Sequence, residues 1–253
     1  TRDLIKGHVF YEEEPGIVNG GSGFETSLFH AVTGWRDGGA DFNPVSCAQI
    51  INYVSAHDNF TLWDKLVLSM HARPDFSERY EDVLAANKLA AFIYFTCQGR
   101  LFLQAGEEFA RTKLGESNSY CSSPEINMLQ WDRTIEYAEL VNYYRGLIRL
   151  RKKLPGLCDK SPQAVKRIRS RRIHGEGVVS FLVDNKSQGS CGSWDNLFVI
   201  YNAADEDWDI MIPEGSWEVL ADGRETDCRK AAEKTKKGIR VEAHSGMLLG
   251  LCH

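Results

Sequence analysis

Short apolar runs alternate with helix-spaced apolar positions along residues 50–155. Residues 50–54 and 101–103 form nearly continuous apolar runs, which are typical of strands buried on both faces of a parallel sheet. Apolar spacing predicts one helix from a Ser77 cap to about Thr96 and another from about Ile135 to Lys153. The order strand, helix, strand, helix predicts parallel strands joined by crossover helices.

The regions on either side of this segment have a different texture. Residues 1–45 are rich in Gly, Pro and Asn turns, which predicts loops with short helices. After Leu157, short strand-like runs separated by turns predict an antiparallel sandwich that closes its own core. These runs are 178–183, 197–201, 208–212, 217–220, 239–241 and 247–251. A linker over 154–162 places a domain boundary near residue 158.

Composition indicates a globular protein and argues against two classes of partner. The 253 residues are 43% hydrophobic and 11% aromatic, enough to fill a packed core. A formal net charge of -5 opposes general nucleic-acid binding, which needs an excess of basic side chains on one face. The basic cluster Lys166–Arg172 is either the solvated side of a strand or hairpin or a phosphate-binding patch. The longest uncharged apolar run, Leu89–Gln98, falls short of the about 20 residues of a membrane helix.

The cysteines indicate reduced thiols, as in a reducing compartment. They are seven in number, widely spaced, and lack the two-residue separation of zinc and redox motifs. Their positions are Cys47, Cys97, Cys121, Cys158, Cys191, Cys228 and Cys252. No metal site or cofactor is indicated by this pattern.

Polar side chains begin abruptly after the first apolar run, within a distinctive sequence motif. Residues 51–59 read INYVSAHDN and are followed by TLWD at 61–64. This segment resembles the fourth conserved region of the alpha-amylase clan, in the form found in type I pullulanases. Residues 102–113 (FLQAGEEFARTK) resemble the clan's last barrel strand and its loop, and residues 118–132 resemble the pullulanase loop that follows. The resemblance spans nearly the whole chain and is strongest over residues 50–155.

The resemblance implies an α/β fold in two parts. Pullulanases have a (β/α)8 TIM barrel of eight parallel strands followed by a C-terminal sandwich, and their active site lies at the C-terminal ends of the barrel strands. Residues 1–158 are therefore expected to be the last two strands and helices of a partial barrel. Residues 159–253 are expected to be the antiparallel β-sandwich domain.

The resemblance also implies starch debranching, the hydrolysis of alpha-1,6-glucosidic links in pullulan, amylopectin or glycogen. His57 matches the family residue that hydrogen-bonds sugar hydroxyls, and Asp58 matches the one that stabilises the oxocarbenium-like transition state. A carboxylate suits that role because it accepts hydrogen bonds from two hydroxyls and tolerates developing positive charge. Asn59 is either a turn former that fixes the strand end or a substrate contact.

Other side chains of these motifs have two readings each. Asn127 either hydrogen-bonds glucose or satisfies backbone groups of its own loop. Trp63, Tyr120 and Trp131 are expected to pack in the core, with stacking on sugar faces as the alternative. Glu107 and Glu108 are neighbours at a predicted strand end and so point to opposite sides, which argues against a paired acid and nucleophile.

Two carboxylates of the clan's retaining mechanism have no match here. The sequence contains neither the strand-borne Asp with its flanking Arg nor the Glu followed by Gly-Trp. The chain is therefore expected to be a C-terminal part that is inactive alone, with no cofactor implied and calcium left open. The alternatives are a fragment of another clan member, such as isoamylase or an alpha-amylase, and a non-catalytic carbohydrate-binding protein.

Overall fold

The computed structural model describes residues 1–186 and 194–252, and its helices and strands follow the predicted order. The helices are α1 Arg2–Lys6, α2 Glu25–Val32, α3 Leu62–Met70, α4 Glu81–Thr96, α5 Pro124–Asn127, α6 Arg133–Glu136, α7 Ala138–Lys153 and α8 Pro155–Cys158. The strands are β1 Ile51–Asn52, β2 Arg100–Leu101, β3 Ile168–Gly175, β4 Val178–Asp184, β5 Trp194–Asn202, β6 Trp208–Ile210, β7 Trp217–Ala221, β8 Thr226–Ala231, β9 Ile239–Val241 and β10 Ser245–Cys252. Among these helices, none is long and apolar enough to cross a membrane.

The first two strands form a short parallel pair. Ile51 lies opposite Arg100 and Asn52 lies opposite Leu101, so the predicted parallel order is confirmed. The prediction that both apolar runs are buried on both faces is wrong, because Ile51 in the first run is 56% exposed and Phe102 in the second is 45% exposed. Among the described residues, the strand of Ile51 pairs with one other strand only, in a two-stranded sheet.

Two helix boundaries differ from the predicted ones. Ser77 does not cap α4, because its backbone N–H and its hydroxyl both donate to Asp75 Oδ1 in a turn that precedes the helix. The predicted helix from Ile135 to Lys153 is interrupted at Tyr137, which separates α6 from α7. At this break the Tyr137 ring is buried and packs edge-on against Trp63, with ring centroids 5.1 Å apart.

The C-terminal strands form the predicted antiparallel sheets. Six strands pair in the order β3-β4-β5-β10-β7-β8, and β6 pairs with β9 in a second small sheet. All six predicted strand runs overlap these strands, whereas β8 was not predicted. The basic cluster Lys166–Arg172 runs into β3, the edge strand, which confirms the strand interpretation.

Apolar side chains cover both faces of the large sheet. One face packs on β6 and β9 in a cluster that includes Phe198, Ile200, Ile210, Val241 and Leu249. The other face packs on α4, where the Phe92 ring meets the Tyr201 ring at 5.8 Å. Gly246 permits this approach, because a Cβ there would lie 2.1 Å from Phe92 Cδ1. The sandwich therefore closes its own core on one face only.

Candidate functional site

The predicted site begins where the chain leaves β1 and makes a bend at residues 57–59. His57 and Asp58 are 89% and 75% exposed, and His57 Nε2 lies 3.4 Å from Asp58 Oδ2. Their side chains therefore point to the same side of the bend, and both are accessible to a ligand. Asn59 has φ +62°, a left-handed conformation that Asn tolerates better than most residues. This geometry supports a turn-forming role for Asn59, and its contact with substrate stays a prediction.

Buried residues hold the bend at both ends. On the N-terminal side, the buried Ser55 hydroxyl donates to Glu107 Oε2. On the C-terminal side, Phe60 is buried and the Thr61 hydroxyl accepts from Asp64 N–H at 3.0 Å, which caps α3. The exposed pair therefore lies between two buried residues, Ser55 and Phe60, which are five positions apart along the chain.

Glu107 is a buried anchor and is not available to a sugar. Its Oε1 accepts from the Tyr94 hydroxyl at 2.8 Å and from the Tyr144 hydroxyl at 2.9 Å. Burial raises the pKa of the Glu107 carboxyl, and the hydrogen bonds from Ser55 and the two tyrosines oppose that shift. The Glu108 carboxylate accepts from Gly106 N–H at 3.0 Å. Both residues lie in a short 3-10 turn and make structural contacts, as the sequence argument against a catalytic pair expects.

A second loop, residues 110–128, reaches the bend through Lys113. Its Nζ donates to the His57 carbonyl at 3.0 Å and to the Ser119 hydroxyl at 2.6 Å. Asn127 lies further along this loop, where its Oδ1 accepts from Ser119 Oγ at 2.9 Å and its Nδ2 donates to Ser119 O at 2.7 Å. These contacts support the loop-satisfying alternative for Asn127. Lys113 was not singled out from the sequence, because no local pattern marks a lysine that binds a carbonyl 56 positions away.

The three aromatic candidates divide into one buried ring and two exposed rings. Trp63 is buried, as predicted. The prediction of core packing is wrong for Tyr120 and Trp131, which are 82% and 65% exposed. Tyr120 follows Ser119 directly, so its ring lies on the loop that Lys113 ties to His57. The Trp131 ring packs against the Phe109 ring with centroids 5.6 Å apart, and most of the Trp131 surface remains free for stacking.

The described residues contain no cluster of three or more His, Cys, Asp or Glu side chains that could hold a metal ion. The six described cysteines are free thiols, and Cys191 lies outside the described residues.

Comparison with known proteins finds relatives of this chain among debranching enzymes. A family model for the pullulanase all-beta domain matches residues 174–225. A pullulanase from Bacillus subtilis is 32% identical over 84% of this chain and 29% of its own length. A glycogen debranching enzyme from Pectobacterium carotovorum is 26% identical over 70% of this chain and 31% of its own length.

A solved structure extends the likeness to the whole fold. A pullulanase from Paenibacillus barengoltzii, in complex with maltohexaose and alpha-cyclodextrin, superposes with a TM-score of 0.85 at 33% identity, covering 100% of this chain and 38% of that one. The chain thus spans between 29% and 38% of the length of these relatives. Over nearly its whole length, the chain belongs to the pullulanase family.

Proposed function

We propose that this chain is the C-terminal part of a starch-debranching glycoside hydrolase that cleaves alpha-1,6-glucosidic links by a retaining mechanism. The observation that carries the proposal is the exposed His57–Asp58 pair at the carboxyl end of a parallel strand, in a chain of pullulanase sequence and fold. Carboxyl ends of parallel strands are where barrel enzymes place their chemistry. Substrates of this enzyme would be pullulan, amylopectin and glycogen.

In this proposal, β1 and β2 are the last two strands of a (β/α)8 barrel, with residues 1–158 in the barrel and 159–253 in the sandwich domain. The exposed Ile51 side chain supports it, because a strand within a closed barrel would have covered faces. The short parallel pair supports it as well, because two paired strands do not form an independently stable sheet.

The proposed roles follow from the accessible atoms at the bend. Asp58 presents a carboxylate that accepts sugar hydroxyls and stabilises positive charge at the anomeric carbon in the transition state. His57 presents a ring nitrogen as a directional hydrogen-bonding group, and Asn59 is proposed as a further contact. A direct sugar contact for Asn127 would have to use the second lone pair of Oδ1, because its amide hydrogens are committed to the carbonyls of Ser119 and Ser122.

The retaining mechanism also requires a nucleophile and a general acid about 5 Å apart. Glu107 cannot serve, because it is buried and accepts three hydrogen bonds. We therefore propose that both groups lie outside residues 1–253, on earlier barrel strands.

Release of reducing ends from pullulan tests the proposal. The chain alone is expected to be inactive, whereas a complete enzyme that contains it is expected to be active. In that enzyme, Asp58→Asn should lower kcat by about a hundredfold or more and change KM little, because the contact strengthens in the transition state.

A matched control is available in the same chain. His244 Nε2 and Asp205 Oδ1 form another His–Asp pair at 2.9 Å, and His244 directly precedes β10. Asp205→Asn should leave kcat unchanged. Equal effects of the two substitutions, or turnover by the isolated chain that Asp58→Asn does not abolish, would contradict the proposed role.

A further inference from the structure

Lys113 is a buried lysine whose ammonium group contacts only uncharged acceptors. The residue is 3% exposed, yet it forms no salt bridge with any carboxylate of the described residues. Lysine is rarely buried without such a partner, since removing an ammonium group from water is costly. Burial lowers the pKa of the Lys113 amine, the nearby Arg111 lowers it further, and the charges of Asp64 and Asp58 oppose these effects. What the Lys113 side chain holds together is therefore given by its two hydrogen-bond acceptors.

The backbone of Lys113 is fixed to the helix that follows the bend. Lys113 N–H donates to Asp64 Oδ2 at 2.8 Å, and the Thr112 hydroxyl donates to Asp64 Oδ1. Asp64 is buried in the first turn of α3, three residues after the Thr61 cap. The Lys113 side chain therefore reaches the His57 carbonyl from a backbone position that is anchored to α3, the helix that follows the bend.

From Lys113 the hydrogen bonds continue into the second loop. Ser119 Oγ accepts from Lys113 Nζ and donates to Asn127 Oδ1, and the Asn127 amide returns to Ser119 O. One continuous chain of contacts thus joins the His57 carbonyl to Asn127. Tyr120, whose ring is exposed, directly follows Ser119 in this chain of contacts.

We infer that Lys113 is a positioning residue that holds the His57–Asp58 bend and the loop 118–128 in one fixed arrangement. The ammonium group suits this purpose because it has three donors and no acceptor, so it can tie a backbone carbonyl to a side-chain hydroxyl at the same time. Through this contact the loop that carries Tyr120 and Asn127 is set relative to the His57–Asp58 pair. The catalytic consequence of this inference rests on the proposed function, whereas the structural coupling does not.

Backbone and histidine NMR of the full chain tests the coupling directly. In the wild-type chain, amides of residues 57–59 are expected to have order parameters of about 0.85, as in rigid backbone. In Lys113→Met, which keeps most of the side-chain volume, they should fall below about 0.6, and the His57 ring resonances should shift. Residues 82–96 of α4 should remain unchanged in both proteins.

Lys65→Met is the matched control. Lys65 is also buried, and its Nζ donates to three backbone carbonyls, those of Tyr11, Glu12 and Glu14, in a loop away from the bend. Loss of the Lys65 ammonium group should lower the order parameters of residues 11–14. Those of residues 57–59 and the His57 ring resonances should not change. Rigid 57–59 amides in Lys113→Met, or the same loosening in both variants, would overturn the inference.

Ser119→Ala keeps the test decisive if Lys113→Met does not fold. This variant removes the acceptor at the middle of the chain of contacts and leaves the Lys113–His57 bond in place. Order parameters over 118–122 should fall, while those of 57–59 should change less than in Lys113→Met. No change in either segment would count against the coupling.

Turnover of pullulan separates this inference from the proposed function. In an active complete enzyme, Lys113→Met should lower kcat by about tenfold with KM nearly constant, as expected for a displaced Asp58. If the complete enzyme shows no turnover of any alpha-glucan, the proposed function fails and the NMR result still decides the coupling. An unchanged kcat together with loosened 57–59 amides would refute the catalytic consequence alone.

Discussion

Lys6 allows a test of how much burial near the bend destabilises a charged amine. The side chain lies in α1, is buried, and donates from Nζ to the Phe60 carbonyl at 3.2 Å. Burial lowers the pKa of the Lys6 amine from 10.5 to about 7, and the charge of Glu107 opposes part of that shift. In the unfolded chain the amine returns to its ordinary value, so between pH 7 and about 10 the unfolded state binds one more proton than the folded state.

The sign and size of the effect follow from this difference. Because the folded pKa is depressed, the wild-type chain should gain stability as pH rises through this window, by at most about 1.4 kcal/mol per pH unit or about 4 kcal/mol from pH 7 to pH 10. Lys6→Met removes the group and the dependence. The variant should therefore be the more stable protein below pH 7, and the less stable one near pH 10 by about 1 kcal/mol, the worth of the lost hydrogen bond to Phe60.

Urea denaturation of both proteins at one-unit steps from pH 6 to pH 10, with reductant present, measures this difference. Subtracting the variant from the wild type cancels the titration of all other groups that the substitution does not disturb. Lys152→Met, at an exposed position of α7, is the control and should give a flat difference. A flat difference for Lys6→Met as well would refute the reasoning, because it would mean that water or a counter-charge reaches Nζ in the folded chain.

Two further substitutions test the packing that supports the bend. Gly246→Ala should lower the free energy of unfolding by about 1–3 kcal/mol in thermal denaturation, because the new methyl group collides with Phe92, and adding Phe92→Leu should restore part of the loss. Glu107→Gln should lower it by about 3 kcal/mol, since a Gln amide N–H then faces buried hydroxyls that donate to the carboxyl, against about 1 kcal/mol for Ser55→Ala. An unchanged midpoint for Gly246→Ala, or equal losses for Glu107→Gln and Ser55→Ala, would contradict these assignments.

The sequence predicted elements whose signal is local. Runs such as 197–201 and 247–251 are apolar because the large sheet is covered on both faces, and both lie in strands. Helix ends were predicted less well. Ser77 has the chemistry of a cap, but Asp75 offers its backbone a closer partner in a turn, and the helix begins only after Tyr80.

The candidate site could also be predicted only in part, namely where its signal is local. His57 and Asp58 come shortly after an apolar run, in a polar segment, so their exposure beyond a strand end could be predicted from the sequence. Lys113 was not singled out and Tyr120 was wrongly expected in the core, because a buried lysine and an exposed aromatic ring both oppose the average behaviour of their residue types. Their positions depend on a carbonyl and a loop that are close only in the folded chain.

Helix α4 connects the sheet to the bend, and this explains why the predicted boundary near residue 158 does not separate two cores. Twelve of its sixteen residues are buried, as expected for a helix surrounded by protein. On one side, the Thr96 and Tyr201 hydroxyls hydrogen-bond at 2.7 Å, next to the Phe92–Tyr201 ring contact. On another, Tyr94 donates to Glu107, which holds Ser55 at the start of the bend. The large sheet therefore supports the helix that supports the candidate site, and removing residues 159–253 would expose Phe92 and leave Thr96 without its partner at the base of that support.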